Sequence, residues 1–202
     1  YSSSIDAFGV GPLSFDNATF LWKAAEAGDT DISAKGVSFG AGGLTLNPNG
    51  NAVTLANPIG TGSTGGLTIT GTGSVALAAA NTYSGNTTVS GGTLLATNAT
   101  GSATGAGDVS VMSAAALGGT GRISGTATVD FGASLSPGTT GIGTLTVGSL
   151  NLASGTSLPW NFGPSSNDLV AVTTSDGLTI NGGSLSIFGE TSADPFSTNG
   201  TY

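Results

Sequence analysis

The side chains able to move protons or hold metal ions are few and scattered. The acids are Asp6, Asp16, Glu26, Asp29, Asp31, Asp108, Asp130, Asp168, Asp176, Glu190 and Asp194; the bases are Lys23, Lys35 and Arg122. Histidine and cysteine are absent, which excludes Ser-His-Asp and Cys-His nucleophiles and zinc sites built on imidazole or thiolate. Carboxylate chemistry remains: cleavage of a polysaccharide by paired acids, or by an acid with Lys or Arg, on one face. The spacing does not gather them. "VSVMSAAAL" from Val109 returns as "ATVDFGASL" from Ala127, an offset of 18 residues. In that frame Asp108 falls over Thr126 and Asp130 over Met112, so the two carboxylates do not stack, and Arg122 sits in a turn between them.

Other motifs fare no better. "DTD" at Asp29 to Asp31 is the only close pair of carboxylates, without an EF-hand frame or a GGxGxD repeat around it, and reads as a polar loop. "GTGSTGG" (Gly60 to Gly66) lacks the lysine and the helix of a phosphate loop and reads as a turn. Sequons at Asn17, Asn86, Asn98 and Asn199 are expected by chance in a chain this rich in Asn, Ser and Thr. No catalytic, cofactor-binding or metal-ligating residue is assigned, and the chain does not read as an enzyme.

The composition explains the scarcity. Of 202 residues 36 are glycine, well over twice the usual share of about 7%. Only 7% are charged, against about 25% ordinarily, while 38% are hydrophobic. Disordered chains show the opposite balance, so a folded all-β protein is expected. The net charge of −8 with three basic residues argues against a nucleic-acid partner and an anionic membrane surface. No apolar run approaches the ~18 residues of a membrane-spanning helix. The opening at Tyr1, without a basic and then apolar leader, reads as a processed or trimmed chain, and "STNGTY" as a cut through a continuing pattern.

Repeats organise the rest. Alternating apolar residues, a small turn and a leucine recur in "TTVSGGTLL", "VSVMSAAAL", "ATVDFGASL", "LNLASGTSL" and "LTINGGSL". The leucines after the turn are Leu94, Leu117, Leu135, Leu158 and Leu185, with gaps of 23, 18, 23 and 27 residues. "GLTLNPNGNAVTL" from Gly43 and "GLTITGTGSVALA" from Gly66 are related units 23 residues apart. Such a period predicts a β-solenoid, a parallel β-helix with coils of about 18–27 residues. Alternation puts Val109, Val111, Leu117, Val129, Leu135, Leu145 and Val147 on the inner face, with Phe131 in an inner slot. Gly91–Gly92, Gly118–Gly119, Gly132 and Gly182–Gly183 fall at corners. The stretches 97–107, 137–143 and 162–168 are expected to project as loops. A sandwich of hairpins is the competing arrangement, but hairpins do not call for near-identical phrases.

Residues 1–42 differ and are expected to form an N-terminal cap, with 43–202 as the repeat region, continuing or truncated at its C-terminal end. "FLWKAAEAG" is the one passage with helical propensity, and Gly28 a plausible stop. An open terminal coil exposes unpaired backbone edges. The alternation of Ile5, Phe8, Val10 and Leu13 suggests a segment that adds to the open end of a neighbouring copy. Further coils of a longer parent chain are the competing cover.

"ANTYSGNTTVSGGTLLATNATGSATGAGDVSV", Ala80 to Val111, resembles the autotransporter-associated β-strand repeat of bacterial surface proteins. "GGTGRISGTATVDFGASLSPG", "GTLTVGSLNLASGTSL" and "GLTINGGSLSI" extend the likeness to roughly Gly65 through Phe188. Asn86 departs from it, standing where the family usually has glycine. The resemblance implies a right-handed parallel β-helix displayed outside the bacterial cell. It implies a scaffold rather than an activity. Expected functions are a structural or adhesive surface protein that self-associates end to end, with surface glycans as possible ligands. The alternative is a carbohydrate-active or glycan-binding β-helix, which needs exposed aromatics along a groove. The repeat region offers Tyr83, Phe131, Trp160, Phe162 and Phe188, of which Trp160 is the one to test for exposure.

Overall fold

The computed structural model describes residues 8–24, 31–163, 166–182 and 184–189. The strands run β1 (Ser14–Phe15), β2 (Ala18–Leu21), β3 (Ser38–Phe39), β4 (Leu44–Asn47), β5 (Ala52–Leu55) and β6 (Leu67–Ile69). They continue as β7 (Ser74–Leu77), β8 (Thr87–Val89), β9 (Thr93–Ala96), β10 (Val109–Val111), β11 (Ala116–Gly119) and β12 (Arg122–Val129). β13 (Ser134–Pro137), β14 (Thr144–Leu152), β15 (Ser157–Phe162), β16 (Leu169–Val172), β17 (Leu178–Ile180) and β18 (Ser184–Gly189) complete the series. The even strands up to β16 stack in order into one parallel sheet, with β17 beside β16 on β14. The odd strands from β5 to β15, ending with β18, form a second, seven-stranded sheet. The fold is a β-solenoid, as the spacing predicts, and not a sandwich of hairpins.

Each coil closes through a third side carried mostly by single hydrogen bonds. Ser38 N–H donates to the Leu13 carbonyl, Gly60 N–H to Val37 and Ala103 N–H to Arg122. The phrase repeats because the coils are in register. Leu94, Leu117 and Leu135 pair directly from coil to coil, as do Leu158 and Leu185, across the 23-, 18- and 27-residue gaps read from sequence. Their inner-face companions Val109, Val111, Val129, Leu145 and Val147 have no solvent exposure. Outward, Thr19, Thr45, Thr68, Thr88, Ser110, Thr128, Asn151 and Thr179 form a single column on the first sheet.

The corner glycines divide two duties. Gly92 has φ +65° and Gly119 φ +112°, a left-handed region that side chains resist. Their neighbours are constrained by space: a Cβ on Gly91 would lie 2.8 Å from the Gly71 carbonyl oxygen, and one on Gly118 2.6 Å from that of Ser136.

Four expectations need correction. Phe20 and Leu21 of "FLWKAAEAG" belong to a strand rather than a helix, because β2 pairs in register with β4 from Ala18↔Leu44 to Leu21↔Asn47; Ala25 to Thr30 lie outside the described residues. The ladder therefore extends upstream of residue 43. That end of the core holds an aromatic cluster, Phe20 packing on Trp22 at 4.6 Å, Phe8 at 5.8 Å and Phe15 at 6.1 Å between ring centroids. Phe131 is not inner but 71% exposed, because β12 ends at Val129 and the turn through Gly132 (φ +74°) breaks the alternation. Nor does 97–107 project. Asn98, Ser102, Ala103 and Thr104 are buried and form the third side of their coil.

Candidate functional site

Four of the acids, Asp16, Asp31, Asp108 and Asp168, accept hydrogen bonds from backbone amides. Asp16 Oδ1 accepts from Gly42 N–H at 2.7 Å, and Asp108 Oδ1 from Thr126 N–H at 2.7 Å. Asp31 caps the short 3-10 turn Ile32–Lys35 through Ser33 N–H and reaches the next coil at Ala56 N–H. Asp168, 4% exposed, accepts from Gly143 N–H at 2.8 Å and from Asn161 N–H at 2.7 Å. At corners the strand ladder breaks, and a buried or half-buried N–H there must find another acceptor. A short acidic or amide side chain one coil away supplies it.

Neutral residues do the same work. Asn86 Oδ1 accepts from Asp108 N–H, Asn98 Oδ1 from Arg122 N–H and Ser63 Oγ from Phe39 N–H. Asn98 is 4% exposed and donates to Thr100 and Gly101, so that sequon lies inside a turn. Asn17 is exposed at φ +48°, and Asn199 lies outside the described residues. Asn81 reaches a coil on either side of its own. Its Oδ1 accepts from Ile59 N–H at 2.8 Å and its Nδ2 donates to Ala103 at 2.5 Å, so one side chain ties three successive coils.

The register keeps Asp108 and Asp130 apart as the spacing indicates, with Asp108 beside Thr126 and Asp130 N–H bonded to Val111. Arg122 opens β12 and is exposed. "GTGSTGG" is a turn, with Gly60 and Gly62 at positive φ and Ser63 N–H returning to Gly60. Among the described residues no three His, Cys, Asp or Glu side chains cluster to hold a metal ion, and no helix is long and apolar enough to cross a membrane.

Among the described residues the candidate aromatics do not line a groove. Tyr83 has no exposure, its ring 5.3 Å from Phe39 and its hydroxyl 2.7 Å from Thr87 Oγ1. Gly60 makes this stacking possible, since a Cβ there would strike both rings. Burial pushes the Tyr83 phenol well above its ordinary value of 10.0, and the bond to Thr87 offsets this only in part. The folded chain therefore holds Tyr83 neutral at pH values where the unfolded chain ionises it. Its contribution is complete below about pH 10 and is lost as pH rises beyond that. Alkaline melts are expected to show this decline in the wild type and a shallower one in Tyr83→Phe. The variant loses about 1 kcal/mol at neutral pH through the unpaired Thr87 hydroxyl.

A cavity lies at the C-terminal end of the described core. It measures about 380 Å³ and is lined by Leu150, Leu152, Leu158, Trp160, Leu178 and Ile180 among others. Trp160 is half-buried there rather than displayed on the surface, and its indole N–H has no partner among the described residues. Among the described residues no acid lines the cavity; its walls are apolar and can enclose apolar groups. Sequence reasoning missed it, because each of its residues follows the same inner-face alternation as the filled coils below. Comparison with protein-family models, curated proteins and solved structures yields no match to this chain.

Proposed function

We propose that this chain is a structural scaffold of the bacterial cell surface, an extracellular β-solenoid of the autotransporter-associated repeat type whose copies stack end to end. The observation that carries this reading is the use of Asp16, Asp31, Asp108 and Asp168 as acceptors for backbone N–H groups. A carboxylate held this way closes a corner between coils, whereas a general acid or base must face a substrate with its proton free to move. The likeness of Ala80–Val111 to the surface repeat supports the location, and the column of Thr and Ser on the first sheet supports contact with glycans or neighbouring surface polymers.

The test is incubation of the purified chain with a panel of uronate-containing and neutral polysaccharides, following new reducing ends and unsaturated products. No turnover is expected, while pull-down on cell-wall glycans reports adhesion. Depolymerisation that disappears in Asp108→Asn or Asp130→Asn would replace this reading with a carbohydrate-active enzyme.

A further inference from the structure

Among the described residues, the same ladder has an edge strand at each end of the solenoid. β2 terminates the first sheet at one end, and β16 and β17, side by side on β14, terminate it at the other. One register column runs through the whole sheet: Ala18, Leu44, Leu67, Thr87, Val109, Ala127, Leu150 and Leu178. A second column lines the third side from Leu13 and Val37 to Ile123, Val147 and Val172. Position for position, Ala18–Thr19–Phe20 at the start is therefore equivalent to Leu178–Thr179–Ile180 at the end, and Leu13 is equivalent to Val172.

The exposed groups at the two ends match. At the C-terminal end Leu178 is 52% and Ile180 60% exposed above the cavity that holds the Trp160 indole, whose N–H has no partner among the described residues. At the N-terminal end Phe8 is 52% exposed against Phe20, with Leu13 and Phe20 only half-buried. We infer that the cavity is filled by the first coil of a second copy, β2 adding to β17 so that Thr19 pairs with Thr179 and Phe20 with Ile180. This rests on the end-to-end stacking in the reading above and names its seam. It continues the coil-to-coil interface already repeated through the chain, with the inner face still apolar and the outer column still hydroxylic. Leu13 settles on Val172, and Phe8 and Phe20 enter beside Trp160. A buried indole N–H normally finds an acceptor, and the incoming coil brings backbone carbonyls to this end of the core. The contact is heterologous and does not close, so it propagates as a filament. Leu13 to Phe15 remain within their own first coil, since Ser38 N–H bonds Leu13 and β1 pairs β3. The strand that crosses the seam is therefore β2, not the extreme N-terminus.

The seam also sets like charges at one corner. Asp16 and Asp176 each stand two residues before the paired strands, and the chain carries −8 overall. Association is therefore expected to strengthen as salt screens this repulsion.

The natural absence of cysteine provides the experiment. Thr19→Cys and Thr179→Cys chains are mixed in roughly 0.5 M salt and oxidised. Adjacent strands lie about 4.8 Å apart, within disulfide reach, so a crosslinked dimer of one chain of each kind is expected. Thr45→Cys with Thr179→Cys, one rung further at about 9.6 Å, is expected to give none. Ile180→Asp, at a position exposed in the single chain, should keep the wild-type melt yet weaken association by roughly tenfold or more in light scattering. A monomer at high concentration whose Trp160 emission is already shielded in a Trp22→Phe background would show that residues 190–202 occupy the cavity, overturning the seam. Filaments in which the Thr19→Cys and Thr179→Cys chains do not crosslink, or that Ile180→Asp leaves unchanged, would overturn this register while leaving end-to-end stacking intact.

Discussion

Leu135→Asp is expected to unfold the solenoid at room temperature. Leu135 has no exposed surface and stacks on Leu117 in a column that continues to Leu94. An aspartate there loses the packing of a buried leucine, about 2–5 kcal/mol. It also places a carboxylate among aliphatic groups that offer it no donor, adding several kcal/mol more unless it takes up a proton. The sum is comparable with the whole stability of a domain this size, about 5–15 kcal/mol. The solenoid geometry sharpens the effect, because each coil is supported only by the coils above and below it. Asp130→Ala and Arg122→Ala are the controls, with an expected change within about 0.5 kcal/mol. Circular dichroism melts of the three variants check the register directly. Equal shifts in Leu135→Asp and Asp130→Ala would mean that the inner and outer faces have been exchanged.

Asn81→Ala is expected to have the second largest effect, about 2–5 kcal/mol from two buried backbone groups left without partners. The side chain is 6% exposed, so water has little access to replace the lost bonds to Ile59 N–H and the Ala103 carbonyl. Asn81 stands in the interior column of the third side, where its neighbours Val37, Ile59, Ala103 and Ile123 are all apolar. An apolar residue looks better suited to that column by burial alone. The prediction therefore separates two accounts of the site: if Asn81→Leu stabilises the chain, burial dominates there, and if it destabilises, backbone satisfaction does. Destabilisation is expected, because around Asn81 the third side is joined by single hydrogen bonds and not by the continuous strand pairing of the other two sides. Hydrogen exchange should show the loss at Ile59 N–H before it appears in the global melt.

The alternation of the repeats was sufficient to identify the inner face. Val109, Val111, Leu117, Val129, Leu135, Leu145 and Val147 are all fully buried, since a period of two admits only one inward set once the strands are placed. The coil lengths were legible for the same reason, as parallel stacking keeps equivalent residues in register whatever the length of the loops between them. Phe131 shows where this logic fails: alternation holds only while the chain is extended, and the sequence does not mark the strand end at Val129 strongly enough. β2 shows a second limit. Phe20 and Leu21 open a passage with helical propensity, but pairing with β4 satisfies a row of backbone groups through Leu21 that an isolated short helix cannot.

The candidate chemistry divides along the same line. The residue inventory alone, with neither histidine nor cysteine, excluded whole classes of catalysis. That Asp16, Asp31, Asp108 and Asp168 close corners was decided by tertiary structure. Asp108 meets Thr126 N–H 18 residues later, Asp16 meets Gly42 N–H after 26 and Asp168 meets Gly143 N–H across 25. These separations follow no single spacing, because each depends on the length of the intervening loop. The terminal cavity is likewise a property of stacking. Leu150 and Leu178 belong to the same inner column as Leu44 and Leu67, yet Leu44 and Leu67 are filled core while Leu150 and Leu178 line a cavity, a difference that rests on how the coils pack and not on residue type.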